Sequence, residues 1–144
     1  MNIHPTLLRI AFVFVLLILA VTMADGQTVD HERFLDAVVT VEATPGRGSH
    51  GELGKYQFTA QTWRQHSTKP HEWALGRTSE ARLERDRVAR AHIKWIEQHL
   101  ENPTVYRMAL VWNAGLNTVK RNAFTDSSVD YANRVRNVYG EGVP

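Results

Sequence analysis

The 144-residue sequence predicts an all-α domain with one long loop after its first helix. Three observations point there. Apolar residues recur at three- and four-residue spacing in several segments, and caps or glycines bracket those segments. No segment alternates apolar and polar residues convincingly, although "GKYQF" could make a short extended piece. Long loops in small domains are often functional, which draws attention to Thr44–Phe58.

The chain opens with "MNIHPTLLRIAFVFVLLILAVTMADGQ". A basic start, an apolar run from Ile10 to Val21 and the small-residue site at Ala24 form the pattern of a secretory signal peptide over residues 1–24. The run is short of the roughly 20 residues that cross a bilayer comfortably, and an uncleaved anchor is the alternative. Residues 25–144 are then the domain, expected in the periplasm or outside the cell. The chain has no cysteine. That excludes disulfides and a lipid-modified amino terminus, so stability must come from packing.

In the domain, Asp30 is placed to cap a helix through "HERFLDAVVTVEA", and Pro45 helps to stop it. Thr59 caps a short helix, "AQTWRQHS", and "KPHEWALGRT" reads as a loop with about one helical turn. Ser79 to Leu100 is strongly helical, with Ala81, Val88, Ala91, His92, Trp95, Ile96 and Leu100 on its apolar face. Asn102-Pro103 ends it. Thr104 caps "VYRMALVWNA", and Gly115 suits a left-handed C′ position. Asn117 starts a short helical turn. Ser127 or Ser128 caps the last helix, with Val129, Ala132, Val135 and Val138 as its stripe and Gly140 as its end.

Charge excludes little. The formal net charge is +2 and the pI about 9.2, which suits an anionic polymer. The basic residues are dispersed, so nucleic acid is not expected as a partner. The 7 histidines form no His-Glu-x-x-His motif, and neither metal nor cofactor is expected.

Glu42 is the residue that carries chemistry. Phe34, Val38 and Glu42 fall at i, i+4 and i+8, which places the carboxyl on the buried face. Desolvation disfavours its charged form, and so does the negative end of the helix dipole in the last turn. Both effects favour an acid still protonated near neutral pH, as a general acid in glycoside cleavage requires. An ordinary helix-end glutamate reaching solvent is the alternative.

Four segments in order, "VTVEA", "LGKYQFTAQTW", "MALVWNAGLNTV" and "DYANRVRNVYG", resemble the motifs of the lysozyme-like lytic transglycosylases that cut peptidoglycan. The resemblance covers nearly all of residues 30–140. It implies a lysozyme-like helical fold and makes Glu42 the general acid and then the general base. By the same resemblance Gln57 lines the cleft and Tyr56 occupies the apolar position before it. Asn113 lies near the substrate and the acid, and the Tyr131 hydroxyl helps to hold the catalytic carboxyl. A turn-stabilising amide at Asn113, a loop amide at Gln57 and a core aromatic at Tyr131 are the simpler alternatives. Trp63, Trp95 and Trp112 are expected in the core, and Trp73 is the better sugar-stacking candidate.

Three departures from the family pattern stand out. Ala43 replaces the serine after the glutamate, Trp112 replaces a tyrosine, and Lys55-Tyr56 replaces Leu-Met. The implied reaction closes a 1,6-anhydro ring on the MurNAc side of the β-1,4 bond to GlcNAc, without water. Hydrolysis, as in goose-type lysozymes, would need a second carboxylate, and Glu52 is the one candidate by position. A non-catalytic peptidoglycan-binding module is the rival from another class. The implied partner is the glycan strand, met by a monomer, and a domain this short also suits a secretion or cell-envelope assembly.

Overall fold

The computed structural model describes residues 28–43 and 46–140. The expected signal peptide lies outside them. Among the described residues six α-helices follow one another: α1 (His31–Glu42), α2 (Ala60–His66), α3 (Ser79–His99), α4 (Val105–Ala114), α5 (Leu116–Lys120) and α6 (Asp126–Tyr139). A 3₁₀ segment, His71–Leu75, stands between α2 and α3. No strand occurs among the described residues; the loop contributes only isolated bridges, Arg47 to Leu53 and Leu53 to Phe58.

Local chemistry accounts for the boundaries. The Asp30 carboxylate accepts from the amides of Glu32 and Arg33, and Thr59, Thr78 and Thr104 cap α2, α3 and α4 through their side-chain oxygens. The last helix starts earlier than expected. Its cap is Thr125, which accepts from the Ser128 amide, and Ser128 is buried inside the first turn. Gly115 does take a positive φ of 84°, but its ψ of 150° is extended and not left-handed helical, so the chain turns there directly into α5.

Two apolar faces also differ from expectation. On α6 the buried set is Ser128, Tyr131, Ala132, Val135 and Tyr139, whereas Val138 is 48% exposed. Val129 and Val138 are nine residues apart, which at about 100° per residue puts them on opposite sides of a helix. On α3, Ala89 and Ile93 join Val88, His92 and Ile96 in the core, and Ala91 is only half-buried.

α6 packs most extensively on α4 and next on α1, while α3 closes the far side against α4 and the 3₁₀ segment. Phe34, Val38, Ile93, Ile96, Met108 and Val135 are fully buried between them. A clamp joins the two ends of the domain. The Asp30 amide donates to the Tyr139 hydroxyl at 3.0 Å, and the Arg33 guanidinium lies 4.6 Å from the Tyr139 ring centre. An aromatic cluster anchors the loop to the helices. The Trp112 ring meets Phe34, Tyr56, Phe58 and His92 at centroid distances of 6.1, 6.4, 5.9 and 5.1 Å.

Candidate functional site

α1 ends at Glu42 because Ala43 turns left-handed, at φ 48°, while its amide still reaches the Val39 carbonyl at 3.2 Å. The helix therefore stops with the Glu42 carboxyl at its tip, half-buried. The packing of α1 on α6 brings in Tyr131, which is 5% exposed. Its hydroxyl donates to Glu42 Oε1 at 2.8 Å. Residues 89 positions apart thus share one hydrogen bond.

Burial is the largest influence on Glu42 and raises its pKa above the ordinary carboxyl value. The Tyr131 hydroxyl and the positive charge of Arg134 pull the other way, and the negative charge of Glu52 adds to the rise. The balance lies on the raised side. Burial and the neighbouring carboxylate push the Tyr131 phenol well above its own ordinary value, so it stays a donor.

The loop supplies the opposite wall. Backbone bonds fold it onto itself: Gly48 N to Glu52 O at 2.8 Å, Gly54 N to Gly46 O at 2.9 Å, and Leu53 with Phe58 in both directions at 2.9 and 3.0 Å. Gln57 sits at φ 50°, and its Nε2 donates to the carbonyls of Gly54 and Gly46 at 2.7 and 3.2 Å. Its amide thus ties the loop together at the edge of the cavity. Glu52 accepts from the His50 amide at 3.0 Å. A Cβ on Gly48 would collide with both the Glu52 carboxylate and the Gln57 amide oxygen. Glycine there lets the two polar side chains lie close together.

A cavity of about 390 Å³ opens between these walls, lined by Glu42, Glu52, Gln57 and Asn113, with Arg47 and Trp112 among the others. A second cavity, about 450 Å³, lies alongside. It does not touch Glu42, but it shares Thr59, Trp112 and Asn113 with the first and is bounded by His92, Trp95, Gln61 and Gln65. In its wall His92 stacks on Trp95 at 5.7 Å with planes 9° apart, and His92 Nδ1 pairs with His66 Nε2 at 3.1 Å. Burial, with a smaller push from His66, lowers the His92 pKa to about 3, so the imidazole is neutral.

The site residues expected from sequence therefore divide. Glu42, Gln57, Asn113 and Glu52 line one cavity, and Tyr131 reaches it through its bond to Glu42. Tyr56 is not brought in. It is 4% exposed, packs edge-on against Trp112 and donates from its hydroxyl to Asp86 at 3.2 Å, which ties the loop to α3. Trp73 is likewise elsewhere, half-buried in the 3₁₀ segment with the Lys69 ammonium 5.0 Å from its ring. That segment packs on α3, away from the two cavities. The aromatic rings that do line them are Trp95 and Trp112, which the sequence assigned to the core. Trp63 alone of those three is fully buried.

Arg47 and Thr59 were missed as cavity residues. Arg47 had one available signal: it is the single long side chain in a Gly-Arg-Gly stretch directly after the helix of the candidate acid. Among the described residues, no group of three His, Asp or Glu side chains is placed to hold a metal ion. Comparison of the chain with family models, curated proteins and solved structures returns no match.

Proposed function

We propose that the protein is a lysozyme-like peptidoglycan lytic transglycosylase that cleaves the MurNAc–GlcNAc β-1,4 bond, with Glu42 as its one acid and base. The observation that carries this is the Tyr131–Glu42 hydrogen bond of 2.8 Å, made at the wall of a cavity that also holds Gln57 and Asn113. Four sequence segments that individually say little meet there.

The chemistry follows from the carboxyl's surroundings. Burial favours the protonated form, so Glu42 begins as the acid and passes its proton to the glycosidic oxygen. The C1–O bond breaks as the sugar acquires oxocarbenium character. The Glu42 carboxylate is now stabilised by the Tyr131 hydroxyl and the Arg134 charge. It takes the proton of the sugar's C6 hydroxyl, whose oxygen attacks C1 and closes the 1,6-anhydro ring. Glu42 ends protonated, and no water is consumed. The two adjoining cavities, which share Asn113 and Trp112, support a groove long enough for more than one sugar. Under this reading the protein acts as a monomer on glycan strands in the periplasm or outside the cell, alone or within a secretion or cell-envelope assembly.

One observation favours a second reading. Glu52 lines the same cavity, and its charge acts on Glu42. A carboxylate so placed could activate water, which makes the outcome hydrolysis. Mass spectrometry of digested peptidoglycan separates the two: anhydro-muropeptides are expected, and reducing ends would support hydrolysis through Glu52. Glu42→Gln should slow turbidity clearance of purified walls by about 10²–10⁴-fold, the usual contribution of a general acid. Unchanged clearance removes Glu42 from the chemistry. Wall binding by a wild-type protein that clears nothing would leave a binding module.

A further inference from the structure

Arg47 is a charged residue of the cavity that the proposed reaction does not use. Its backbone is fixed by the bridge to Leu53 and flanked by bonds from Gly48 N to Glu52 O and Gly54 N to Gly46 O. Its side chain is exposed and lines the cavity beside Glu42 and Glu52. It nevertheless makes no ion pair with either carboxylate. The described ion pairs engage Lys55, Arg87, Arg90, Arg134 and two histidines, and none involves Arg47.

A guanidinium that lines the cavity on a hydrogen-bonded stretch of backbone, without an ion-pair partner among the described residues, is suited to an anionic group on the ligand. Its planar fork matches a carboxylate in two parallel hydrogen bonds. The neighbouring cavity is walled by amides, hydroxyls and rings, and none of the described residues that line it is an Asp, Glu, Lys or Arg. It suits the neutral faces of sugars. The charge at Arg47 is therefore confined to one end of the groove, next to the bond that is cut.

We infer that Arg47 is a specificity residue that binds a carboxylate carried by the glycan strand next to the cleaved bond. This rests on the peptidoglycan reading above. In that polymer the carboxylates sit on the peptide stem or, where the stem is removed, on the lactyl group of MurNAc. Both present the same chemistry to a guanidinium.

The test measures binding in the Glu42→Gln background, so that turnover does not consume the ligand. The probes are purified walls free of secondary polymers, the same walls with carboxylates converted to carboxamides by carbodiimide and ammonia, and amidase-stripped glycan strands. Binding to native walls should exceed binding to amidated walls by about two- to fivefold, the worth of one exposed ion pair. Arg47→Gln should abolish that difference without lowering affinity for amidated walls, and Arg47→Lys should restore part of it. The lactyl carboxyl is amide-linked in native walls, so a preference for native over amidated walls assigns the contact to the stem. Stripped strands bound as well would show that the freed lactyl carboxylate serves equally, and weaker binding that it does not. If Glu42→Gln binds native walls no better than amidated ones, or Arg47→Gln keeps the preference, the inference is overturned while glycan recognition stands. If it binds none of the three probes, the glycan reading itself falls. An unchanged melting temperature of Arg47→Gln checks that the variant is folded.

Discussion

Under the proposed function, the protonation of one side chain bears on both activity and stability. Glu42 has a raised pKa because burial outweighs the Tyr131 hydrogen bond and the Arg134 charge. The folded chain therefore holds that proton to higher pH than the unfolded chain does. The group favours the folded state below its unfolded value of 4.5, and this contribution is lost as pH rises through the raised folded value. Glu42→Gln removes the dependence and keeps an acceptor for Tyr131. Its melting temperature should exceed that of the wild type near neutral pH, with the gap narrowing towards pH 4.5, as scanning calorimetry across pH can check. Tyr131→Phe acts on the same equilibrium from the other side. It deletes a donor that lowers the Glu42 pKa, so the pKa rises further. Under the proposed reaction the alkaline limb of the pH–rate profile should move upward while the maximal rate falls, because the carboxylate formed after proton transfer has lost its partner. A profile that stays in place would mean that another group sets that limb.

At the scale of elements, the loop matters more than any helix. It is anchored from both faces: Tyr56 and Phe58 pack around Trp112, and Gly54 lies against the 3₁₀ segment. Gly54 has φ 78°, and a Cβ there would collide with the Ala74 carbonyl oxygen. Backbone cannot move aside as a flexible side chain can. Gly54→Ala should therefore cost about 2 kcal/mol or more, combining left-handed strain with the collision. In a domain of this size that is a fall of very roughly 10 °C in melting temperature. Under the proposed function, activity on walls should fall further than stability explains, because Gly54 O is an acceptor for the Gln57 amide. Ala43 belongs to the same scale. Its left-handed φ of 48° stops α1 with the carboxyl at the tip, a conformation that alanine adopts at a cost.

For the whole molecule, acid is the expected weakness. His92 is buried against Trp95 and Trp112, and its pKa falls from 6.5 to about 3. Between those values the unfolded chain binds a proton that the folded chain refuses. Stability from this group is complete above pH 6.5 and declines as pH falls towards 3. His66 is shifted the same way by burial and by Arg87. Carboxylates held by arginine act lower down: Glu84, bonded to Arg87 and Ser67, is lowered from 4.5 to about 2 and favours folding until acid reaches that range. Denaturant melts from neutral pH downward should show stability falling before the carboxylates other than Glu42 begin to protonate, with the proton taken up by Glu42 offsetting part of the fall. His92→Phe, which keeps an aromatic ring beside Trp95, should flatten the upper part of that fall. An unchanged curve would place the acid sensitivity elsewhere.

The sequence by itself determined that the domain is helical and where most helices begin and end. Those features depend on near neighbours: Asp30, Thr59 and Thr104 cap amides two or three residues away, and Gly140 closes the last helix within a turn. Helical spacing also singled out Glu42, beside Phe34 and Val38 on one face, whereas Tyr131 was singled out by the resemblance and not by spacing. The sequence misjudged the stripe of α6 and the place of Trp73, and it foresaw the core packing of Trp95 and Trp112 but not that they also line the cavities, because whether an aromatic ring borders a cavity depends on which elements pack beside it. Only the tertiary structure decided that Tyr56 turns inward to Asp86 while Gln57 stays at the cavity, and that Arg47 lines the same cavity as two carboxylates without an ion pair to either. The 2.8 Å bond between residues 42 and 131 is of the same kind. Its length is set by the packing of α1 against α6, a relation between distant segments that no local pattern encodes.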